Sequence, residues 1–346
     1  MPRDKKDATR RATIHDVADR AGVSISTVSR AFTHPEMVSA ATRETVVRVA
    51  DQLNFSISRS AAALKSGMSL RIALLLSDHS STWFNATVNE GLNDIFHPAG
   101  YDLSIFQIDS RQDRKIFFDT LPTRSNADAV IVNSFDVDEN EVARLNSLHV
   151  PLIGINSASM NAFSASVSID DRQGETIAVR HLISLGHRQL TYVQTQTANS
   201  LLFSVQQRME TFMELCKKQS LPAPRIIMAS QSRNQVADVV SQILAMDALP
   251  TAIVCQEDSI AIPLIFQLKR SGISIPEDVS VIGFDDSTFA DDIGLTTIRQ
   301  DPLNMAKLAA QMTLKLLNDE EIDKPQRIFT PQLILRSSTG AARRDA

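Results

Sequence analysis

Near the amino end of the chain, hydroxyl side chains lead up to an arginine: Ser24, Thr27 and Ser29 are among those that precede Arg30 within one short segment. Hydroxyls donate to phosphate oxygens, and a guanidinium pairs bidentately with O6 and N7 of guanine. The chemistry on offer here is recognition of a nucleic acid. Catalytic chemistry is not visible elsewhere. The chain has no Gly-x-Ser-x-Gly elbow, no Gly-x-x-x-x-Gly-Lys phosphate loop, no Gly-x-Gly-x-x-Gly fingerprint and no His-Glu-x-x-His pair. Its two cysteines, Cys216 and Cys255, lie 39 positions apart without ligand spacing around either. That pattern excludes a disulfide framework and a zinc site, and both thiols are expected to be small buried hydrophobes. No cofactor and no metal is called for, and the expected class is not an enzyme.

The elements that must hold Ser24 to Arg30 can be read from caps and periodicity. Thr13 precedes Asp16 by three residues, a helix start, and Ile14, Val17, Ala18 and Ala21 form an apolar stripe up to Gly22. A left-handed glycine at that point ends the helix and turns the chain. Ser24 then caps a second short helix through about Phe32, and a third runs from a cap near Ser39 to Leu53, burying Val46, Val49, Ala50 and Leu53. Two short helices joined at Gly22 and Val23 make a helix-turn-helix, whose second helix fits a DNA major groove.

Charge agrees with an appendage for a polyanion. Residues 1–68 carry 11 basic and 7 acidic side chains, whereas the 346-residue chain as a whole has a net charge of −5. The length predicts more than one unit. With 43% hydrophobic and 22% charged residues and no apolar run long enough for a bilayer, the chain reads as soluble globular protein, and a charged MPRDKKDATRR start without an apolar stretch predicts a cytoplasmic location.

From Leu70 onward short aliphatic runs alternate with helical stretches. Strands are predicted at Ile72–Leu76, Leu103–Ile108, Ala129–Val132, Leu152–Ile155, Leu190–Val193, Ala252–Val254 and Val279–Gly283, with another ending at Ile169. Such alternation builds parallel sheets covered by helices, and about 270 residues of it divide into two lobes with a cleft between.

The segments Thr13-Ile14-His15-Asp16-Val17-Ala18 and Ala21-Gly22-Val23-Ser24-Ile25-Ser26-Thr27-Val28-Ser29-Arg30 closely resemble the signature of the lactose-repressor/galactose-repressor family of bacterial transcription regulators. Val38-Ser39-Ala40-Ala41-Thr42-Arg43 and Ala61-Ala62-Ala63-Leu64-Lys65 continue the match in order. The resemblance implies DNA contacts from Thr13, Ser24, Ile25, Ser26, Thr27, Ser29, Arg30, Ser39, Thr42, Phe55, Ala61 and Leu64. Ile25 and Ser26, which open the recognition helix, are small here and suit thymine methyls or short hydrogen bonds. It also implies a hinge that turns helical on DNA, in which Leu64 wedges a minor-groove base step apart and bends the duplex. Ile57 and Ala62 depart from the proline and the longer polar residue common there, which implies a looser linker.

The resemblance extends into the body through Leu185-Gly186-His187-Arg188, Pro276-Glu277-Asp278-Val279-Ser280-Val281-Ile282-Gly283-Phe284-Asp285-Asp286, Leu295-Thr296-Thr297-Ile298-Arg299-Gln300 and Arg336-Ser337-Ser338-Thr339. It implies a two-lobed, periplasmic-binding-protein-like effector domain crossed three times by the chain. The implied partners are a pseudo-palindromic operator, a small-molecule effector and a second copy in a homodimer, or a tetramer built from it. Expected boundaries are a disordered charged tail at 1–12, the headpiece at 13–57, the hinge at 58–68, the body at 69–340 and a tail at 341–346. Within the body, a first lobe is expected from about 70–188 and 299–330, and a second from about 190–297 and 331–340.

By the same resemblance, Asp258 and Arg208 are the effector's carboxylate and guanidinium clamps, with Asp170 or Asp171 as a further contact. Thr82-Trp83-Phe84-Asn85 stands where family members carry Asn-Pro-Phe-Phe, so Asn85 replaces an aromatic that stacks on a purine. That change predicts a sugar effector, with Trp83 as a stacking face; a purine or nucleoside is the alternative. Thr211 and Pro263 replace usual glycines beside the pocket. A solute-binding protein or an enzyme on the same fold are the competing classes, told apart by an export signal or by turnover.

Overall fold

A computed structural model describes residues 12–33, 35–55, 68–77, 79–108, 110–124, 127–135, 137–157, 162–195, 203–230 and 234–343. The chain divides at residue 70 into a small unit and a large one, taken separately here. The expected hinge contacts Ala61 and Leu64, residues 1–11 and residues 344–346 lie outside the described residues.

In the small unit, α1 (Ile14–Ala21), α2 (Ile25–Thr33) and α3 (Ala40–Gln52) surround a core of Val17, Ala18, Val28, Ala31, Val46, Val49 and Ala50. Thr13 and Asp16 form a reciprocal capping box at the start of α1, and Gly22 ends it at φ 67°. Leu53 is only partly buried against this core.

The large unit contains two six-stranded sheets. Strands β1 (Arg71–Leu76), β2 (Asp102–Gln107), β3 (Ala129–Asn133), β4 (Leu152–Ile155), β5 (Ala165–Ile169) and β11 (Gln326–Phe329) form the first, in the order β11-β5-β4-β3-β1-β2, all parallel. The second has the order β12-β10-β9-β8-β6-β7. Its strands are β6 (Leu190–Thr195), β7 (Arg225–Ala229), β8 (Ala252–Cys255), β9 (Ser280–Asp285), β10 (Thr296–Arg299) and β12 (Gln332–Ile334), the last antiparallel to β10. Every residue of β3, β8 and β9 is buried, as strands covered on both faces require.

Among the described residues, eight helices flank the sheets: α4 (Trp83–Phe96), α5 (Arg111–Arg124), α6 (Glu139–Ser147), α7 (Asp171–Ser184), α8 (Phe203–Lys218), α9 (Gln235–Leu244), α10 (Asp258–Arg270) and α11 (Pro302–Leu317). The chain passes between lobes three times, after Ile169, after Arg299 and after Phe329. One boundary differs from expectation. Residues up to 188 were assigned to the first lobe, but α7 packs on α8, β8, β10 and β12 of the second. The crossing comes directly after β5, because Gly174 and its neighbours bury against Phe284 and Ile298 of the second sheet. In return α11 packs on α4, β4 and β5 of the first.

Candidate DNA-reading helix and effector cleft

In the helix-turn-helix, capping and display are divided between residues. Ser24 Oγ accepts from the Thr27 amide at 3.1 Å and pairs with the hydroxyls of Ser26 (2.7 Å) and Thr27 (2.8 Å), so these three hydroxyls fix the start of α2. Ser39 does the same for α3, accepting from the Thr42 amide at 3.3 Å with the two hydroxyls 2.8 Å apart. Thr13 is engaged in its capping box. The outer face of α2 presents Ile25, 41% exposed, with Ser26 and Arg30 also exposed. Arg30 makes no bond to another described residue. Thr27 and Ser29 are half-buried on the flank of the same helix. Phe55 differs from its assignment as a DNA contact: its ring packs edge-on against Phe32 with centroids 6.4 Å apart, half-buried as a lid on the small core.

In the body, all three crossings leave from strand carboxyl ends, so the carboxyl edges of the two sheets are brought side by side. In each sheet the strand order reverses once, between β1 and β3 and between β6 and β8, and ligands of open α/β sheets bind outside such reversals. At the first reversal Asn133 Nδ2 donates to Asn85 Oδ1 at 2.7 Å and Asn85 Nδ2 donates to the His79 carbonyl at 3.0 Å. Asn85 is thus a buried brace between β3 and the loop after β1, with Trp83 half-buried two residues earlier at the start of α4.

At the second reversal Gln256 Oε1 accepts from the Thr195 amide at 3.0 Å and the Gln256 carbonyl accepts from Arg208 Nη1 at 2.9 Å. Arg208 Nε donates to Asp171 Oδ1 at 2.7 Å, and its guanidinium carbon lies 3.5 Å from the centroid of the Phe284 ring. Of the two candidate aspartates at the start of α7, Asp171 therefore pairs with Arg208, while Asp170 caps the helix by accepting from the Gln173 amide at 2.8 Å. Thr211 bonds back to the Gln207 carbonyl at 2.7 Å, and Pro263 sits within α10.

Asp258 differs most from its expected role. It is fully buried, and both carboxylate oxygens are satisfied internally, Oδ1 by the Thr297 hydroxyl at 2.7 Å and Oδ2 by the Ser287 amide at 2.8 Å. It packs so tightly on Gly283 that no Cβ fits there, and burial pushes its carboxyl up to about 6. Asp258 ties α10 to β9 and β10 and forms the floor of the site.

The carboxylate that reasoning from sequence passed over is Asp285, at the end of β9, which runs two residues beyond the predicted Gly283. It sits at φ 133°, followed by Asp286 at φ 59°. Two arginines clamp Asp286: Arg299 Nε at 2.6 Å and Arg336 Nη2 at 2.8 Å, the latter also bonded to Asp291 at 2.8 Å. Gln300 donates from Nε2 to Asp285 Oδ1 at 2.5 Å. The surroundings hold two unusual backbone conformations in place and so fix where Asp285 points. Burial and the neighbouring Asp258 raise its carboxyl well above the usual range, against the pull of Arg208.

Four buried polar atoms in this region have no partner among the described residues: Glu175 Oε1, Tyr192 OH, Ser204 Oγ and Gln300 Oε1. Ser204 lies one turn before Arg208 on α8, and Glu175 lies one turn after Asp171 on α7. Asp285 and Gln300 both lie in segments that carry the family resemblance, Asp285 at a strand ending in Asp-Asp before a polar turn; for Ser204 there was no signal.

A helix-turn-helix unit joined on one chain to a two-lobed body with polar carboxyl edges defines a class, the DNA-binding regulators that respond to a small molecule. Residues 13–58 match the family model for bacterial regulatory proteins of the lacI family, and residues 179–339 match that of the periplasmic binding protein-like domain. The chain thus joins a lacI-family DNA-binding domain to a periplasmic binding protein-like domain, and its homologues are transcriptional repressors, not enzymes. The HTH-type transcriptional repressor PurR of Vibrio parahaemolyticus is 26% identical over 333 residues, covering 94% of this chain and 98% of that protein. The HTH-type transcriptional regulator GalR of Escherichia coli is 26% identical over 331 residues, 94% of this chain and 95% of that one. Among solved structures, the Lac repressor dimer bound to operator and the anti-inducer ONPF superposes with a TM-score of 0.81 at 23% identity, covering 96% of this chain and all of that one. Among the described residues no helix is long and apolar enough to cross a membrane.

Proposed function

We propose that this regulator acts in the cytoplasm as a homodimer, setting the two copies of α2 into the major groove of a near-palindromic operator, and that a sugar in the cleft controls its hold on DNA. Arg30 reads a guanine, Ile25 and Ser26 read neighbouring base edges, and the amino ends of α1 and α3, with Thr13, Ser39 and Thr42, lie against phosphates. The effector is held by Arg208, Ser204, Gln300 and Asp285, with Asp171, Asp258 and Asn85 bracing them from behind. Binding shifts a population between two lobe arrangements by its differential affinity for them.

The observation that carries the sugar reading is the set of unpartnered polar atoms beside Arg208, Ser204 Oγ and Gln300 Oε1, together with the covered ring of Phe284. Phe284 is 1% exposed and already covered by the guanidinium, so it offers a purine nothing to stack on. Hydroxyls, which both donate and accept, fit such a mixed set. A thermal-shift screen of the purified chain against sugars, sugar phosphates, nucleosides and purines tests it. At a hundredfold excess over Kd, a ligand of the native state adds about 2.7 kcal/mol, enough to move Tm by some degrees. Stabilisation by a purine or nucleoside with none by any sugar contradicts the reading.

A further inference from the structure

The surroundings of Arg208 hold more carboxyls than cations and more acceptors than donors. Asp171 and Glu175 on α7, Asp258 on α10 and Asp285 on β9 are all buried, and Arg208 is the buried cation among them, already bonded to Asp171. The charge of Glu257 also acts on Asp285. Arg299 and Arg336, the other cations at this end of the sheet, are bonded to Asp286 and Asp291. Asp258 is satisfied by Thr297 and Ser287. Asp285 is not: among the described residues its carboxylate takes one hydrogen bond, from Gln300 Nε2, and forms no ion pair.

That bond also fixes the Gln300 amide. With Nε2 on Asp285, Oε1 is an acceptor held on the same group, without a partner although Gln300 is 94% buried. The carboxyl end of β9 and the turn after β10 therefore present two acceptor atoms on one hydrogen-bonded pair of side chains, Asp285 Oδ2 and Gln300 Oε1. A hydroxyl satisfies one of them and turns its own lone pairs toward the other, whereas an ammonium brings three donors, no lone pair and a positive charge. A divalent ion is not favoured, since among the described residues no three His, Cys, Asp or Glu side chains converge as a metal site would need.

We propose that the effector is a hydroxylated amine of the amino-sugar class, its protonated nitrogen bonded to Asp285 and Gln300. This deepens the sugar reading above and rests on it. Burial and repulsion among the carboxyls hold Asp285 above its usual range and push Glu175 up to about 8, and an ammonium at Asp285 offsets part of that repulsion.

The test is isothermal titration of the full chain near pH 7 with two matched sets of probes: D-glucosamine, D-glucose and N-acetyl-D-glucosamine, and the three corresponding galactose compounds. The expected result is that one free amine binds at least tenfold tighter than both its parent sugar and its N-acetyl form. Asp285→Asn is expected to remove that preference. A parent or acetylated sugar that binds as tightly as the amine overturns the proposal and leaves the sugar reading standing. Binding by none of the amines also overturns it, and binding by a purine alone overturns both. The comparison among ligands is made on the wild-type chain, so it decides the matter even where Asp285→Asn fails to fold.

Discussion

Arg208 and its neighbours show why residue type alone misplaces a binding group. Asp258 and Asp285 each follow a predicted strand of the second sheet, each sits beside further acidic residues, and nothing in the sequence ranks one over the other. The structure separates them through their hydrogen bonds: Asp258 has both oxygens filled, and Asp285 has one bond on a strained backbone. Arg208 was singled out by the family resemblance alone; the structure buries it to 5% exposure, where a fork-shaped cation needs a carboxylate, and Asp171 provides it. Removing the guanidinium as Arg208→Ala leaves Asp171 buried without its partner, and a loss of about 3–5 kcal/mol is expected in urea unfolding. A loss below 1 kcal/mol would mean that Asp171 finds water on its own. Glu175 gives a pH signature. Burial raises its carboxyl from 4.5 to about 8, so over that interval the folded state holds more protons than the unfolded one and stability declines as the pH rises. The slope attributable to this one group is about 1.4 kcal/mol per pH unit. Glu175→Gln removes it, so the two proteins should have equal stability near pH 4.5, with the variant ahead by a few kcal/mol near pH 8. Parallel stability curves across that range would contradict the assignment.

Helices and strands were legible where periodicity and caps coincide. Thr13, Gly22, Ser24 and Ser39 mark the ends of α1, α2 and α3 to within a residue, since each of these types satisfies backbone groups that a helix end leaves open. The all-buried runs of β1, β3, β4, β8 and β9 were equally plain. The strands β7, β10, β11 and β12 were not predicted: they have three to five residues, and β7, β11 and β12 carry polar or exposed positions that break the apolar run. The lobe assignment of α7 depended on a contact 110 residues away in sequence, Gly174 against Phe284, which no local pattern encodes. A similar close approach sets the packing of α4 on α11. A Cβ on Gly91 would stand 2.5 Å from the Leu303 carbonyl oxygen and 2.8 Å from Ala306 Cβ, neither of which is a flexible side-chain end. Gly91→Ala should therefore cost about 1–3 kcal/mol by forcing the helices apart, despite alanine's better helix propensity. A more stable variant in thermal unfolding would show that the helix pair yields without strain.

Across the whole molecule, a basic reading head and an acidic binding body are encoded by different parts of one chain, and the head's residues were far more legible than the body's. Reading DNA requires exposed residues at fixed helical spacing, which a sequence displays directly; a cleft assembled from strand ends and helices distant in sequence needs the fold before its residues can be listed. Binding should carry the mark of phosphate neutralisation, with log K falling linearly as log salt rises, and a salt-independent affinity would remove the nucleic-acid reading of the head. The central claim is that two copies of α2 read a symmetric site through Arg30, and binding-site selection from a random duplex library with the purified chain tests it most directly. The account predicts enrichment of a near-palindrome with half-sites about one helical turn apart, each containing a guanine whose preference relaxes in Arg30→Ala at a cost of about 1–3 kcal/mol. Selection that yields no common sequence, or an asymmetric one that Arg30→Ala leaves unchanged, would contradict it.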